Sequence, residues 1–286
     1  MSMPSAPPGQ IVFSHGNSFP AGTYNVLLRQ LEQQGHTVYA IDKYGHDPRY
    51  PVSNNWQYMV QQLIDFCAGL PDPQGRPRYL IGHSMGGILS VMAAARVPQL
   101  AQAVLMLDSP VFGGWRAGVL RLTKQTSLAQ RLSPGATSHR RRQEWPSEDA
   151  VLQHFATKPV FASWHPEALR DYIRHGTEPH PSLELPLRRK LAFDRDIETA
   201  IYNTLPDNLD RWLRQHPLQI PAAMIGGSRS RELRQIGMHT PRRITQGRIY
   251  LLEGGTHLFP LEQPDQTASL VSRALAELPP APAASR

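Results

Sequence analysis

Cysteine is almost absent from this chain, and so are long apolar runs. The single cysteine, Cys67, excludes an intrachain disulfide, and it shares one face of a helical pattern with Met59, Val60 and Leu63, which predicts a packed core position. No apolar run reaches the length of about eighteen residues that a membrane helix needs. Residues 1–10 lack the basic start and apolar middle of a signal peptide. We therefore expect a cytoplasmic protein without stable membrane association.

The chain also lacks a continuous basic stripe, although its net charge is +7 and its pI is near 9.8. Proteins that bind nucleic acid by charge align Lys and Arg along the phosphates. Here the basic residues are scattered, and the one dense run, Arg140 to Arg142, is followed at once by Glu144, Glu148 and Asp149. We interpret that run as a solvated face or loop flank and expect no nucleic-acid partner.

What the sequence does contain is an alternation of apolar strands and amphipathic helices at both of its ends. Such alternation is typical of a parallel sheet with helices on both faces. With 286 residues and 40% hydrophobic content the chain can bury a large core. The predicted strands are 10–15, 36–42, 78–81, 103–107, 222–225 and 248–252, and the main helices between and after them are 24–31, 56–70, 88–97 and 267–278.

Residues 113–217 interrupt this alternation. They show helical patterns separated by Pro and Gly, and no convincing buried strand. We therefore divide the chain into a core of residues 1–112 and 218–286 and a separate helical unit of residues 113–217. The helices predicted in that unit are 117–132, 148–156, 166–175 and a pair between 195 and 215.

A nucleophile elbow is predicted where the third strand ends. Residues 79–87 form an apolar run that closes in Gly-x-Ser-x-Gly and continues into a helical pattern. A sharp strand-to-helix turn would expose the hydroxyl of Ser84, and Gly82 and Gly86 would remove the side chains that collide where strand and helix meet. The N–H of Met85, at the start of the helix, would be placed to stabilise an oxyanion.

A serine hydroxyl needs a base to become a nucleophile at neutral pH. Among the 12 histidines, His257 stands out because it follows the last predicted strand in the glycine-rich segment Gly254–Pro260. Ligand sites of open α/β sheets collect at this carboxyl edge of the strands. His257 is therefore the candidate general base.

Three segments together resemble the α/β-hydrolase superfamily, in particular its serine esterase and lipase-like members with a helical cap. They are His15-Gly16-Asn17 after the first strand, the elbow at residues 82–87, and residues 255–262 after the last strand. The resemblance implies an open, mostly parallel sheet of about six strands with helices on both faces. It also implies that residues 113–217 are an inserted helical cap, and that nucleophile, acid and histidine follow in that order along the chain.

The resemblance implies an oxyanion hole formed by the backbone amides of Asn17 and Met85. The triad acid departs from the usual pattern, because the loop in which the family places an aspartate holds Ser228 near the expected position. A minority of the family carries the acid one strand earlier, where this chain has Asp108. We therefore predict Asp108 as the acid, with Glu232 as the rival. Asp108 could instead be a simple turn-starting residue.

The resemblance implies cleavage of a small-molecule carboxylic ester through an acyl-enzyme, with no cofactor and no metal. We interpret the aromatic rings of the helical unit mainly as core packing. Rings that line the cleft would favour an apolar acyl or alcohol group. We therefore predict a preference for apolar esters of short to medium chain. Thioester, lactone or carbon–carbon bond hydrolysis by the same triad stays open, as does a non-catalytic ligand-binding protein. The rings are Phe112, Trp115, Trp145, Phe155, Phe161, Trp164 and Trp212.

Overall fold

A computed structural model describes residues 6–124, 138, 141–182 and 187–281 of the chain. Its centre is a six-stranded sheet in the order β2-β1-β3-β4-β8-β9, and every neighbouring pair of strands is parallel. The strands are β1 (Gln10–Ser14), β2 (Thr37–Ala40), β3 (Arg78–His83), β4 (Ala103–Leu107), β8 (Ala222–Gly227) and β9 (Ile249–Leu252). Three short strands, β5 (Glu144–Trp145), β6 (Thr177–Pro179) and β7 (Arg189–Leu191), form a separate antiparallel sheet.

Helices connect the strands and cover the sheet. The helices of the core are α1 (Asn25–Gln33), α2 (Gln57–Ala68), α3 (Met85–Arg96), α9 (Arg231–Ile236), α10 (His239–Thr245), α11 (Phe259–Glu262) and α12 (Pro264–Ala276). Between β4 and β8 the described residues form α4 (Gly114–Lys124), α5 (Glu148–Ala156), α6 (Pro166–Gly176), α7 (Arg195–Asn203) and α8 (Leu209–Gln215). None of the helices in the described ranges is both long and apolar enough to cross a membrane.

The sheet is buried on both faces, as its nearly continuous apolar strands require. Successive residues of a strand point to opposite faces, so Val104 and Met106 of β4 join one apolar cluster with α2 and α3, while Leu105 and Leu107 join the other with α1 and α12. Parallel sheets need such cover on both sides because their connections are crossovers. The predicted α/β class and the six-stranded parallel sheet are confirmed.

The predicted elements differ from the observed ones mainly between β4 and β8. The prediction of a purely helical unit in residues 113–217 is wrong in one respect, because β5, β6 and β7 form a small sheet there. These strands have only two or three residues, too few to show a period along the sequence. The predicted helix 117–132 begins at Gly114 and is described to Lys124, and the rest of it lies outside the described residues.

The segment between β4 and β8 packs on the start of the core through aromatic rings. Helix α6 lies against the 3-10 helix Ala21–Tyr24, and Phe19 contacts the rings of Trp164 and Tyr172 at centroid distances of 5.5 and 5.6 Å. Phe161 stacks on Tyr172 in the same group. This contact places residues 159–163 over the carboxyl edge of the sheet, where they line a pocket with core residues.

The structure bears on two further predictions, the core position of Cys67 and the solvated face at residues 140–142. Cys67 is buried in the core, as predicted. The basic run is not simply solvated: Arg142 is exposed, but Arg141 donates to the buried carboxylate of Glu198 at 2.6 Å. Neighbouring Arg140 lies outside the described residues. The order of charged residues along the chain does not reveal this partner, because Glu198 lies 57 residues from Arg141.

Candidate active site

The turn that joins β3 to α3 holds Ser84 in a strained conformation. Its φ is 52° and its ψ is −116°, a region that non-glycine residues rarely adopt. The turn is tight enough that a Cβ on Gly82 would lie 2.1 Å from the carbonyl carbon of Gly86, and one on Gly86 would lie 2.0 Å from the oxygen of Ser14. Only glycine fits at both places. The two glycines therefore allow the sharp turn that presents the Ser84 hydroxyl.

His257 meets this hydroxyl from the loop between β9 and α11. Its Nε2 lies 3.1 Å from Ser84 Oγ, although the two residues are 173 positions apart. Its Nδ1 lies 2.7 Å from Asp108 Oδ2. An imidazole bonded on one side to a carboxylate has a fixed ring orientation and keeps the other nitrogen for the serine.

Asp108 stands directly after β4 and is completely buried. Its Oδ1 accepts a hydrogen bond from the Gly227 N–H at 2.9 Å, and its Oδ2 accepts one from the Ser230 hydroxyl at 2.7 Å in addition to the His257 ring. Three donors satisfy the oxygens of this buried carboxylate and fix its orientation. Two of them come from the last residue of β8 and from the loop after it, where the resemblance would place the acid itself.

Glu232, the rival acid, lies nearby but does not bond the ring. Its Oε2 is 3.5 Å from the Ser230 hydroxyl, and no hydrogen bond joins it to His257 within the described chain. Asp108, Glu232 and His257 each offer one ligand atom within 4.8 Å of the others, so this group has the spacing of a metal site. Its Asp108 and His257 atoms are already bonded to each other.

Hydrogen bonds to the Gly16 carbonyl oxygen fix the orientation of the peptide bond between Gly16 and Asn17. The Gly16 carbonyl accepts hydrogen bonds from His15 Nδ1 at 2.8 Å and from the Phe19 N–H at 3.3 Å. Because the peptide is trans, the Asn17 N–H points the opposite way. No acceptor in the described part of the chain bonds the N–H of Asn17 or of Met85, the first residue of α3. Both amides are free to bind an oxyanion.

A buried network links this loop to the His257 loop. The Gly16 N–H donates to Tyr24 Oη at 3.1 Å, and Tyr24 Oη lies 2.7 Å from His83 Nδ1. His83 Nε2 lies 2.8 Å from the carbonyl oxygen of His257. Burial, with the nearby His257, lowers the pKa of His83 well below its ordinary value. The neutral ring therefore accepts from Tyr24 and donates to His257.

A second network joins the same loop to the segment between β4 and β8. Asn17 Nδ2 donates to the backbone carbonyl of Glu198 in α7 at 3.1 Å, and the Ser18 hydroxyl donates to its carboxylate at 2.5 Å. Arg141 supplies the opposite charge. Glu198 is 3% exposed, so the loop carrying Asn17 is hydrogen-bonded to a buried residue that is itself ion-paired with Arg141.

These groups surround a pocket of about 690 Å³. Ser84, His257 and Asn17 lie in its wall with the apolar residues Phe19 and Leu258. The segment between β4 and β8 covers one side. The remaining lining residues are Gly16, His83, Pro159, Val160, Ser163, Tyr202, Arg229, Arg231, Glu232, Arg234, Thr256 and Glu262.

The sequence profile of the alpha/beta hydrolase family matches residues 11–270, which is nearly the whole chain. The chain belongs to the alpha/beta hydrolase family. Solved structures agree with this assignment at the level of fold: a peroxisomal alpha-beta-hydrolase from Saccharomyces cerevisiae superposes with a TM-score of 0.71 over 96% of this chain and 78% of its own, at 15% identity. The predicted family resemblance is confirmed.

The curated relatives of this hydrolase include ester-cleaving enzymes. The monoglyceride lipase of Rattus norvegicus is 31% identical over 110 residues, which is 37% of this chain and 36% of the lipase, so the match spans about a third of that enzyme. The pimeloyl-[acyl-carrier protein] methyl ester esterase of Xylella fastidiosa (strain M12) is 23% identical over 94% of this chain and 96% of its own.

The structure brings together all five residues predicted for the site: Ser84, His257, Asp108, Asn17 and Met85. The sequence patterns did not indicate the residues that position them, above all Tyr24, His83, Ser230 and Glu198. His83 stands inside the elbow motif, and its position beside Ser84 is the only sequence signal for any of the four.

Proposed function

We propose that this hydrolase cleaves carboxylic esters with Ser84 as nucleophile, His257 as general base and Asp108 as the group that orients the ring. The observation that supports this most is the continuous hydrogen-bonded path from Ser84 Oγ through His257 to Asp108, with distances of 3.1 and 2.7 Å, in the wall of the pocket. This geometry supports a serine hydrolase mechanism.

The proposed reaction has two halves. Ser84 Oγ attacks the ester carbonyl while its proton passes to His257 Nε2, and the amides of Asn17 and Met85 bind the resulting oxyanion. The tetrahedral intermediate collapses, the alcohol takes the proton from His257, and an acyl-enzyme remains. A water molecule then gives a proton to His257 Nε2 and attacks the acyl carbonyl. The second tetrahedral intermediate collapses, Ser84 Oγ takes the proton back from His257, and the acid is released.

The pocket supports an ester with a short to medium apolar group next to the scissile bond. Four apolar residues, Phe19, Pro159, Val160 and Leu258, contribute to its lining. Residues 159–163 cover it from one side, which supports a cap role for residues 113–217. The tryptophans of that segment do not support the preference, because Trp145, Trp164 and Trp212 are buried in packing, Trp115 is exposed, and none of them lines this pocket.

The hydrogen bond between His257 and Asp108 also argues against the non-catalytic alternative. The one sequence feature that suggested it was the missing acid after β8, and Asp108 supplies a carboxylate on the imidazole from the end of β4 instead. We therefore favour an enzyme over a binding protein.

Hydrolysis of 4-nitrophenyl butyrate tests the proposal. Ser84→Ala is expected to reduce kcat by at least about 1,000-fold, because it removes the attacking atom. Ser269→Ala is the matched control, since this serine lies exposed on α12, away from the pocket. A Ser84→Ala protein with wild-type kcat, or a wild type that cleaves 4-nitrophenyl butyrate no faster than the buffer does, would contradict an ester hydrolase.

A further inference from the structure

Three arginines lie at the rim of the pocket. Arg229 belongs to the loop after β8, and Arg231 and Arg234 belong to the short helix α9. All three side chains are exposed and line the same cavity as Ser84. The proposed ester hydrolysis uses none of them.

The backbone beneath these side chains is fixed. Ser228 N–H donates to the Leu252 carbonyl at 3.0 Å, Arg229 N–H to the Gly255 carbonyl at 2.9 Å, and Ser230 N–H to the Gly227 carbonyl at 3.0 Å. The Ser230 hydroxyl also bonds Asp108. The positive charges are therefore attached to a part of the chain that is tied directly to the reacting groups.

Among the described residues, these guanidinium groups have no carboxylate partner. In the part of the chain that the structure describes, no Asp or Glu oxygen lies within 4.0 Å of Arg229, Arg231 or Arg234, whereas Arg29 and Arg273 at other surface positions form ion pairs. An arginine without a carboxylate partner keeps its charge for an oxyanion, and Arg234 Nη2 also donates to the Arg229 carbonyl at 3.3 Å.

Two carboxylates, Glu262 and Glu232, line the pocket, and both have neighbours other than the three arginines. Glu262 accepts hydrogen bonds from the Thr256 hydroxyl at 2.7 Å and from the Ser163 hydroxyl at 2.9 Å. Glu232 lies beside the Asp108–His257 pair. The rim therefore carries an excess of positive charge over negative charge.

We propose that Arg229, Arg231 and Arg234 bind an anionic group, a carboxylate or a phosphate, carried by the substrate at the end remote from its ester bond. This inference rests on the proposed function and narrows its substrate class to esters with a negatively charged terminus. Apolar residues of the same pocket, among them Phe19 and Leu258, are available to contact the chain that connects the anionic group to the ester. Binding energy at the rim then holds the ester carbonyl at Ser84.

A matched pair of substrates tests this inference. Mono-(4-nitrophenyl) glutarate and 4-nitrophenyl pentanoate have the same number of acyl carbons, but only the first carries a terminal carboxylate. The 4-nitrophenyl ester of 4-phosphonobutanoate carries a phosphonate instead of the carboxylate and tests binding of a phosphate-like group. The wild type is expected to show a higher kcat/KM for at least one anionic ester than for the neutral ester, mainly through a lower KM, and raised salt should reduce this preference. The anionic ester with the higher kcat/KM shows whether the arginines prefer a carboxylate or a phosphate-like group.

The triple substitution Arg229→Gln, Arg231→Gln and Arg234→Gln is expected to reduce that preference about tenfold, the sum of three exposed charge contacts. Turnover of the neutral ester should stay within about twofold. The matched control removes the same net charge at exposed arginines away from the pocket, namely Arg76, Arg96 and Arg170. The control triple variant should keep the wild-type preference.

Three results would overturn the inference: a wild type without preference for either anionic ester, a rim triple variant that keeps the preference, or a control triple variant that loses it equally. Binding of monomethyl glutarate and monomethyl 4-phosphonobutanoate to Ser84→Ala, measured by calorimetry, reads the same site without turnover. The rim substitutions should weaken that binding also. If the wild type cleaves no ester, the proposed function fails, and this calorimetric comparison alone decides whether the anion site exists.

Discussion

At the scale of single residues, two non-glycine residues of the site have positive φ: Ser84 at 52° and Asp108 at 41°. Such conformations cost about 1–3 kcal/mol each. Backbone bonds to the next strand hold both, from Ser84 N–H to the Leu107 carbonyl and from Asp108 N–H to the Ile225 carbonyl. The strain is compensated by the sheet and serves to aim both side chains at His257.

Asp108→Asn is expected to lower kcat by about 1,000- to 10,000-fold, because an amide in this position selects the wrong imidazole tautomer. Glu232→Gln should cause a far smaller loss, since Glu232 makes no hydrogen bond to His257 in the described chain. Hydrolysis of 4-nitrophenyl butyrate by both variants measures the difference. The reverse order of losses would make Glu232 the acid.

Tyr24→Phe is expected to lower kcat about tenfold with little change in KM. The substitution removes the hydroxyl between the Gly16 N–H and His83 and leaves both groups buried without this partner. The loop that carries Asn17 would lose part of its orientation relative to His257. Steady-state kinetics separate kcat from KM.

Tyr58→Phe serves as the control for this experiment, because its ring is 51% exposed on α2. A Tyr24→Phe enzyme with unchanged kcat would show that the network supports folding only.

At the scale of elements, hydrogen bonds to Glu198 join α7 to the loop after β1, and the Glu198 carboxylate is also ion-paired with Arg141. The Glu198 carboxylate accepts from Arg141 and from Ser18, and the Glu198 carbonyl accepts from Asn17. Leaving a buried charge without its partner costs about 3–5 kcal/mol. These contacts couple the segment between β4 and β8 to the loop that carries Asn17.

Glu198→Gln is expected to lower the free energy of unfolding by about 3 kcal/mol, because Arg141 keeps its charge and loses its partner. It should also lower kcat, since the Ser18 contact weakens. Urea titration and steady-state kinetics measure the two effects.

Glu178→Gln is the matched control: its ion pair with Lys190 lies in the same segment but is about 40% exposed, so its loss should cost less than about 1 kcal/mol. Equal losses in the two variants would show that the Glu198 pair has no special role.

The elements also show what the sequence could predict. Strand β4 has the predicted bounds, because five consecutive apolar residues between polar neighbours define a buried strand. Strands β5 to β7 were missed because they have too few residues. Motifs led to Ser84 and His257, whereas Asp108 required the family resemblance. Contacts such as the one between Asn17 and Glu198, 181 residues apart, leave no mark in the sequence.

At the scale of the whole molecule, buried neutral histidines couple stability to pH. Burial lowers the pKa of His15 to about 4, with the nearby His46 acting in the same direction, while its bond to the Gly16 carbonyl partly opposes the shift. Unfolded histidine titrates near its ordinary pKa of 6.5. Between these values the unfolded chain binds more protons than the folded one, so stability falls as the pH falls through this window.

The free energy of unfolding is therefore expected to be highest above pH 6.5 and to drop between pH 6.5 and 4, by on the order of 3 kcal/mol from His15 alone. His83 contributes in the same direction. Urea titrations at pH 7.0 and 5.0 measure the change. In His15→Asn, which keeps a donor for the Gly16 carbonyl, the dependence should be shallower. An equal slope in both proteins would contradict this assignment.

The most direct test of the central claim is to locate the covalent adduct after treatment with a fluorophosphonate. An activated serine attacks the phosphorus and expels fluoride, and peptide mass spectrometry identifies the modified side chain. We predict modification of Ser84, and its loss in His257→Ala, which removes the base. No adduct at Ser84, or an adduct formed equally fast without the His257 imidazole, would contradict the account.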